Sequence, residues 1–230
     1  MQKPIPQKIT AWSYSRLRDY RKCPFYAKCK HVDRMKEPGN QAMDRGSAIH
    51  TLAENFVKKT AARQKCPPEL AAFEEEFRML QKRPTIVEEQ WAFTSSWAET
   101  GWFDNDAWCR VKVDLCFQRL DVNHLVIVDH KTGKVGTRDD YDEQAKLYAT
   151  AGLIKFPTVE AVDPRLWYLD HGIEMPEDEV LFTRDQLPAL KAYWAKATKA
   201  MLTDTRFAPR PNDGCRWCHF SKAKGGSCKF

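Results

Sequence analysis

The sequence predicts an α/β fold, a central mixed sheet flanked by helices, on three observations. The first third carries apolar residues at helical spacing. From Thr85 the texture changes to runs of β-branched and aromatic residues bounded by turn-formers. Helical and strand-like segments then alternate to the last long helix. One run, LVIV (Leu125 to Val128), is apolar on both faces and so belongs in the middle of the sheet.

Taken in order, SYSRLRDYRKCP opens a short helix, with Ser13 or Ser15 as N-cap and Pro24 just beyond its end. A second helix is expected from Ala42 to Thr60, where Ile49, Leu52, Ala53, Phe56 and Val57 share a face. A third runs from Leu70 to Gln81 and is closed off by Pro84. TIVEEQWAF, WCRVKVDLCFQ and HLVIVDHK read as three strands. In the second, Val111, Val113, Leu115 and Phe117 take one face, while Lys112, Asp114, Cys116 and Gln118 take the other. A helix follows from Tyr141 to Leu153, then strands in RLWYLD and EVLFTR, and a helix from Gln186 to Thr203. The tail from Pro209 is rich in Gly, Pro and Cys.

Residues 1–230 are expected to form one domain, since no linker divides them and a chain of this length can bury a substantial core. No apolar run is long enough to span a membrane, and MQKPIPQKITAW lacks the apolar stretch of a secretory signal. The expected location is therefore the cytoplasm. The net charge of +6 is compatible with a polyanionic partner but does not single one out.

The chemistry concentrates on Asp114 in one strand and Asp129-His130-Lys131 at the end of the next. Asp129 and Lys131 are two apart and point to one face, with the His130 side chain opposite. If the strands pair antiparallel through the turn near Asp121 to Asn123, Asp114 comes alongside Asp129. Paired carboxylates offer hard oxygen ligands to Mg²⁺ or Mn²⁺, and a neighbouring ammonium can orient water and offset charge on a phosphate. Phosphodiester hydrolysis requires this set of parts. Glu88 is either an additional carboxylate or a solvated charge on its strand.

These residues resemble a family. Asp114 followed by Asp129-x-Lys131 is similar to the pattern of the PD-(D/E)XK nucleases, and VDHKTG resembles their RecB-like branch. RGSAIH resembles that branch's G-x-x-x-H element and places His50 on a helix; QAKLY resembles its Q-x-x-x-Y element, with Gln144 and Tyr148 four apart on one helical face. The elements stand in the family's order, and the opening SYSRLRDYRKCP extends the likeness over nearly the whole chain. The resemblance implies that His50, Asp114 and Asp129 are metal ligands, completed by the His130 carbonyl, and that Lys131 is the catalytic lysine. It places Gln144 and Tyr148 beside that lysine or on the DNA backbone. It also implies Mg²⁺ or Mn²⁺ as cofactor, with Mn²⁺ at least as effective because a histidine softens the site.

The eight cysteines divide by position. Cys109 and Cys116 read as small buried hydrophobes in a strand, and Cys66 as a bystander beside prolines. Cys215-x-x-Cys218 and Cys228 leave a metal site one ligand short. RecB-like nucleases with a [4Fe–4S] cluster take one cysteine from far upstream, and Cys23 stands where the resemblance puts it. The nine residues between Cys218 and Cys228 are a longer gap than the family's. A structural Zn²⁺ on the same four residues is the alternative, with Cys29, His31 or His219 as possible substitutes. Either metal would join residues 1–35 and 205–230 into one subregion.

The implied partner is DNA, single-stranded or with free ends. Arg16, Arg18, Arg21 and Lys22, with Tyr14, Tyr20 and Phe25 among them and Lys222, Lys224 and Lys229 in the tail, could line a channel or form a solvated basic face. A helicase or recombination protein is a possible partner, since no nucleotide-binding loop is present. The resemblance reaches both CRISPR-associated adaptation nucleases and phage-encoded exonucleases, and the GCRWCHFSKAKGGSC tail leans towards the phage group. Two alternatives stand beside an exonuclease: a catalytically silent DNA- or protein-binding module, and a structure-dependent endonuclease.

Overall fold

Strands fill the middle of the chain, where β-branched and aromatic residues concentrate. In the computed structural model, which describes residues 8–39, 41–58 and 64–230, these are β1 (Thr85–Phe93), β2 (Glu99–Thr100), β3 (Cys109–Arg119) and β4 (His124–Lys131). Further along come β5 (Ala161–Tyr168), β6 (Ile173–Met175) and β7 (Phe182–Thr183). The helices are α1 (Tyr14–Lys22), α2 (Pro24–His31), α3 (Gln41–Lys58), α4 (Glu74–Leu80), α5 (Arg138–Lys155) and α6 (Leu187–Thr203). The sheet order is β2-β1-β3-β4-β5-β6, with β7 also paired to β5.

β3 and β4 form an antiparallel pair from Leu115↔Val128 to Arg119↔His124, closed by a turn in which Asn123 adopts φ +54°. β4 and β5 run parallel over His124↔Ala161 to Lys131↔Tyr168. A parallel pair needs a crossover, and α5 supplies it. Thr137 starts α5 with a reciprocal capping box to Asp140. Gly152 lets the helix lie close on the sheet: a Cβ there would come within 3.0 Å of Ile127 Cδ1 and Leu125 Cδ2. The fold is therefore the expected mixed α/β sheet flanked by helices.

The chain forms two compact units. One gathers Met1–Gly39, Ala92–Arg110 and Ala192–Phe230; the other gathers Asn40–Trp91 and Val111–Lys191. In the second, period-two alternation sorts the sheet's side chains to two faces. Leu115, Val126, Val128 and Trp167 pack with Ile49, Phe56, Leu70, Phe73 and Phe77 on one side. Leu166 and Tyr168 pack with Tyr141 and Ala145 on the other. Each large apolar side chain so buried contributes about 1.5–3 kcal/mol.

In the first unit, the Trp12 amide donates to the Trp108 carbonyl and the Arg110 amide to the Trp12 carbonyl, each at 2.8 Å. The Trp12 ring stacks on Trp194 at 5.0 Å and meets Trp97 and Trp108 edge-on. The expected subregion of residues 1–35 and 205–230 falls within this unit.

Boundaries differ from expectation in three places. Pro24 does not follow a helix end but opens α2 at its first turn, where a missing N–H costs nothing. The helix expected from Leu70 to Gln81 is a 3-10 turn over Pro68–Phe73 followed by α4. α3 begins at Gln41, and the expected end at Thr60 lies outside the described residues. Among the described residues, no helix is long and apolar enough to cross a membrane.

Candidate active site

The second unit brings the predicted residues together where the β3–β4 ladder ends. Pairing extends to Leu115↔Val128, one step short of the carboxylates. Beyond it the His130 amide donates not to a backbone carbonyl but to Asp114 Oδ2, at 2.8 Å. That bond carries Asp114 over to the terminus of β4. His50, from the middle of α3, brings Nδ1 to 3.3 Å from Asp114 Oδ1.

His50, Asp114 and His130 each offer a ligand atom, all within 4.8 Å of one another. The His130 ring therefore joins the site instead of packing elsewhere, 5.8 Å from the His50 ring and backed by Phe77 and Trp167. His130 Nε2 is buried without a hydrogen-bond partner. A carboxylate with two imidazoles is a donor set that fits a divalent cation.

Charge follows the geometry. The hydrogen bond to Asp114 is the chief cause holding the His50 pKa up, and it outweighs the burial that opposes it. Burial would raise Asp114, but His50, the histidine charges and the His130 amide bring it below the usual carboxylate range. Burial lowers His130 and favours its neutral form.

Asp129 has a different set of partners. Its Oδ1 accepts from Gln144 Nε2 at 3.0 Å and from the Tyr148 hydroxyl, both on α5. Its Oδ2 lies 2.6 Å from Lys131 Nζ as an ion contact, without well-directed hydrogen-bond geometry. Gln144 Oε1 in turn accepts from Lys131 Nζ at 3.1 Å. The one amide thus spans the aspartate and the lysine, which fixes which way it faces. Burial, followed by the Asp129 charge, holds the Tyr148 pKa well above normal, so the phenol remains a donor.

Two features were not read from sequence as part of the site. One is the His130 ring. The other is the placement of Glu88, which sits at φ +56° within β1 with Oε1 3.6 Å from His50 Nδ1 and Oε2 2.6 Å from Lys112 Nζ. Its one signal in the sequence is the broken alternation of VEEQ.

The loop after Lys131 is tied to α3. Arg45 grips Asp170 through two bonds of 2.8 and 2.6 Å, and Asp170 also accepts from the Gly133 amide at 2.6 Å. The Arg45 bonds, then the Gly133 amide, hold the Asp170 carboxyl down to about 2.

In the first unit, Cys23, Cys215, Cys218 and Cys228 line one cavity. Cys23 occupies the joint between α1 and α2, extended at φ −162°. The tail is stitched to the end of α1: Arg210 Nη1 donates to the Arg21 carbonyl at 2.6 Å and Asn212 Nδ2 to the Lys22 carbonyl at 3.1 Å. The Arg210 and Asn212 amides point at Cys23 and Cys215 Sγ, at 3.4 and 3.3 Å. Burial, ahead of the neighbouring thiols, raises the Cys218 pKa. Among the other cysteines, Cys29, Cys66, Cys109 and Cys116 are buried. Two of the expected DNA-facing residues are engaged in this unit's own packing, since Arg16 donates to the Ala11 carbonyl and Tyr20 to Asp204.

Residues 11–223 match the PD-(D/E)XK nuclease superfamily. The chain belongs to that superfamily. Membership in the PD-(D/E)XK superfamily implies a metal-dependent nuclease, and the His50–Asp114–His130 group could hold the metal. A search of curated protein sequences found no match. Among solved structures, the chain is similar to a Eubacterium rectale protein whose assignment as an exonuclease is provisional, at 12% identity and a TM-score of 0.46, covering 91% of this chain and 87% of that one. It is also similar to the protein SSO0001, at 12% identity and a TM-score of 0.43, covering 92% and 83%.

Proposed function

We propose that this chain is a divalent-metal-dependent deoxyribonuclease acting as an exonuclease on single strands or DNA ends. The observation that carries the reading is the convergence of His50, Asp114 and His130 beside Asp129 and Lys131, with Gln144 and Tyr148 bracing the last pair. His50, Asp114 and Asp129 would hold Mg²⁺ or Mn²⁺, together with a group from His130. When bound, such an ion polarises a phosphate and makes its water a nucleophile at neutral pH.

The chain's own residues supply the rest. Lys131 is a third exposed, so its ammonium can meet a water or a phosphate oxygen while staying on Asp129. Gln144 and Tyr148 leave Asp129 Oδ1 no freedom to turn, which orients Oδ2. Cleavage of labelled linear and circular single-stranded DNA, by wild type and Asp129→Ala, tests the assignment. Cutting of the linear form alone, lost in the variant, is the expected result. Equal cutting of circles would make it an endonuclease, and binding without cutting under either metal would make it a binding module.

We further propose that Cys23, Cys215, Cys218 and Cys228 hold a [4Fe–4S] cluster that keeps the tail on α1. One cavity lined by all four supports a shared metal group. Four thiolates are the ligand set of such a cluster, and structural zinc on the same four cysteines is the alternative. Metal analysis of protein purified without oxygen should return iron and inorganic sulfide, and zinc in their place would refute the cluster.

A further inference from the structure

Glu88 stands in a conformation that its residue type disfavours. A left-handed backbone crowds the Cβ of any residue but glycine, and Glu88 adopts it at φ +56° in the interior of β1. Period two fails at the same place: Val87 and Trp91 are buried, while Glu89 and Gln90 between them are both exposed. Such a residue persists only where its surroundings over-determine it, and sites of this kind cluster at functional centres.

The consequence of the turn is local. It swings the Glu88 carboxylate out of the strand's alternation and towards α3, where it is largely buried, at 14% side-chain exposure. Oε1 then lies 3.6 Å from His50 Nδ1, the atom that is also 3.3 Å from Asp114 Oδ1. Two carboxylates from separate strands thus converge on one imidazole nitrogen. Oε2 is held by Lys112, at 2.6 Å, whose own side chain is half exposed. Lys112 is two residues before Asp114 on β3, so it shares that residue's face of the strand.

We propose that Glu88 is a further carboxylate ligand of the divalent-cation site, and that Lys112 is a stand-in charge which a cation displaces from it. The inference rests on the metal-dependent reading above and extends it. In the metal-free protein the Lys112 ammonium neutralises Glu88. When a cation takes the carboxylate, that ammonium is released at the rim of the site, free to meet a phosphate of the substrate. Glu88 thereby couples metal loading to the appearance of a positive charge where DNA would lie.

The test is equilibrium Mn²⁺ binding to the full chain without DNA, followed by the electron paramagnetic resonance of free Mn²⁺. Glu88→Gln, of the same shape, should weaken Mn²⁺ by about 10-fold or more. Lys112→Met removes the competing charge and should tighten it. Glu88→Gly removes both the carboxylate and the crowded Cβ. It should weaken Mn²⁺ while melting no lower than wild type, a combination that a purely structural ion pair cannot give. Unchanged Mn²⁺ affinity in folded Glu88→Gln would overturn the proposal while leaving the metal-dependent reading intact. So would a Lys112→Met protein that binds Mn²⁺ more weakly. Wild type that binds no Mn²⁺ at all would overturn both.

Discussion

Replacing Tyr148 by Phe removes a single oxygen and leaves the ring in place. That oxygen donates to Asp129 Oδ1 and accepts from Gln144 Nε2, the latter at 3.0 Å. A hydrogen bond to a charged acceptor contributes about 1.5–3 kcal/mol. Gln144 Nε2 still reaches the same Oδ1 at 3.0 Å, so the lower part of that range, about 1.5–2 kcal/mol, applies. If the bond serves to hold Asp129 in its working orientation, the loss appears in the transition state as a fall in kcat of about 10- to 30-fold. Stability changes separately. One Gln144 N–H loses its acceptor in a buried site, at a cost of about 1–2 kcal/mol. For a chain of this size that lowers the melting temperature by roughly 2–8 °C. Steady-state cleavage at saturating Mn²⁺, beside thermal melting without metal, reads both. A variant with lowered melting temperature but unchanged kcat would refute the argument, because Tyr148 would then pack the site without positioning Asp129.

Three further substitutions address the scaffold. Arg184 donates to the Leu153, Phe156 and Val159 carbonyls at 2.6–3.0 Å, closing the end of the helix that carries Gln144 and Tyr148. Arg184→Ala should cost about 2–3 kcal/mol, seen as a lower urea midpoint; a midpoint equal to wild type would show that water replaces the guanidinium at no cost. At Gly226 a Cβ would fall 2.3 Å from the Phe220 backbone, whereas at Gly225 there is open space and only φ +75° opposes a side chain. Gly226→Ala should therefore lower the melting temperature more than Gly225→Ala, and the reverse order would contradict the packing of the tail.

The parts of the site that could be read in the sequence follow from fixed periods. Alternation in VDHK puts Asp129 and Lys131 on one face wherever the strand lies, and a four-residue interval puts Gln144 and Tyr148 together on any helix. The His130 ring could not be placed in this way, because its position depends on the ladder stopping at Leu115↔Val128. Glu88 could be named from sequence as an additional carboxylate or a solvated charge, but not placed, because its orientation is set by a positive φ, which composition does not announce outside glycine. Pro24 was ambiguous by nature, since proline suits both the residue after a helix and the first turn of the next. The division into two units was invisible too. β1 and β3 are unbroken strands in sequence, yet Phe93 and Cys109 fall in one unit while Val87 and Leu115 fall in the other.

The first unit is assembled from three separated stretches of chain, and that imposes an order on its birth. As the protein leaves the ribosome, α1 and Cys23 emerge early but must wait, with bare carbonyls at Arg21 and Lys22, until Arg210 and Asn212 arrive to cap them. Until those residues follow, the nascent chain carries an unfinished helix end beside the Cys23 thiol. Completion of this unit is consequently a late event, and a product truncated before Cys228 would never reach it.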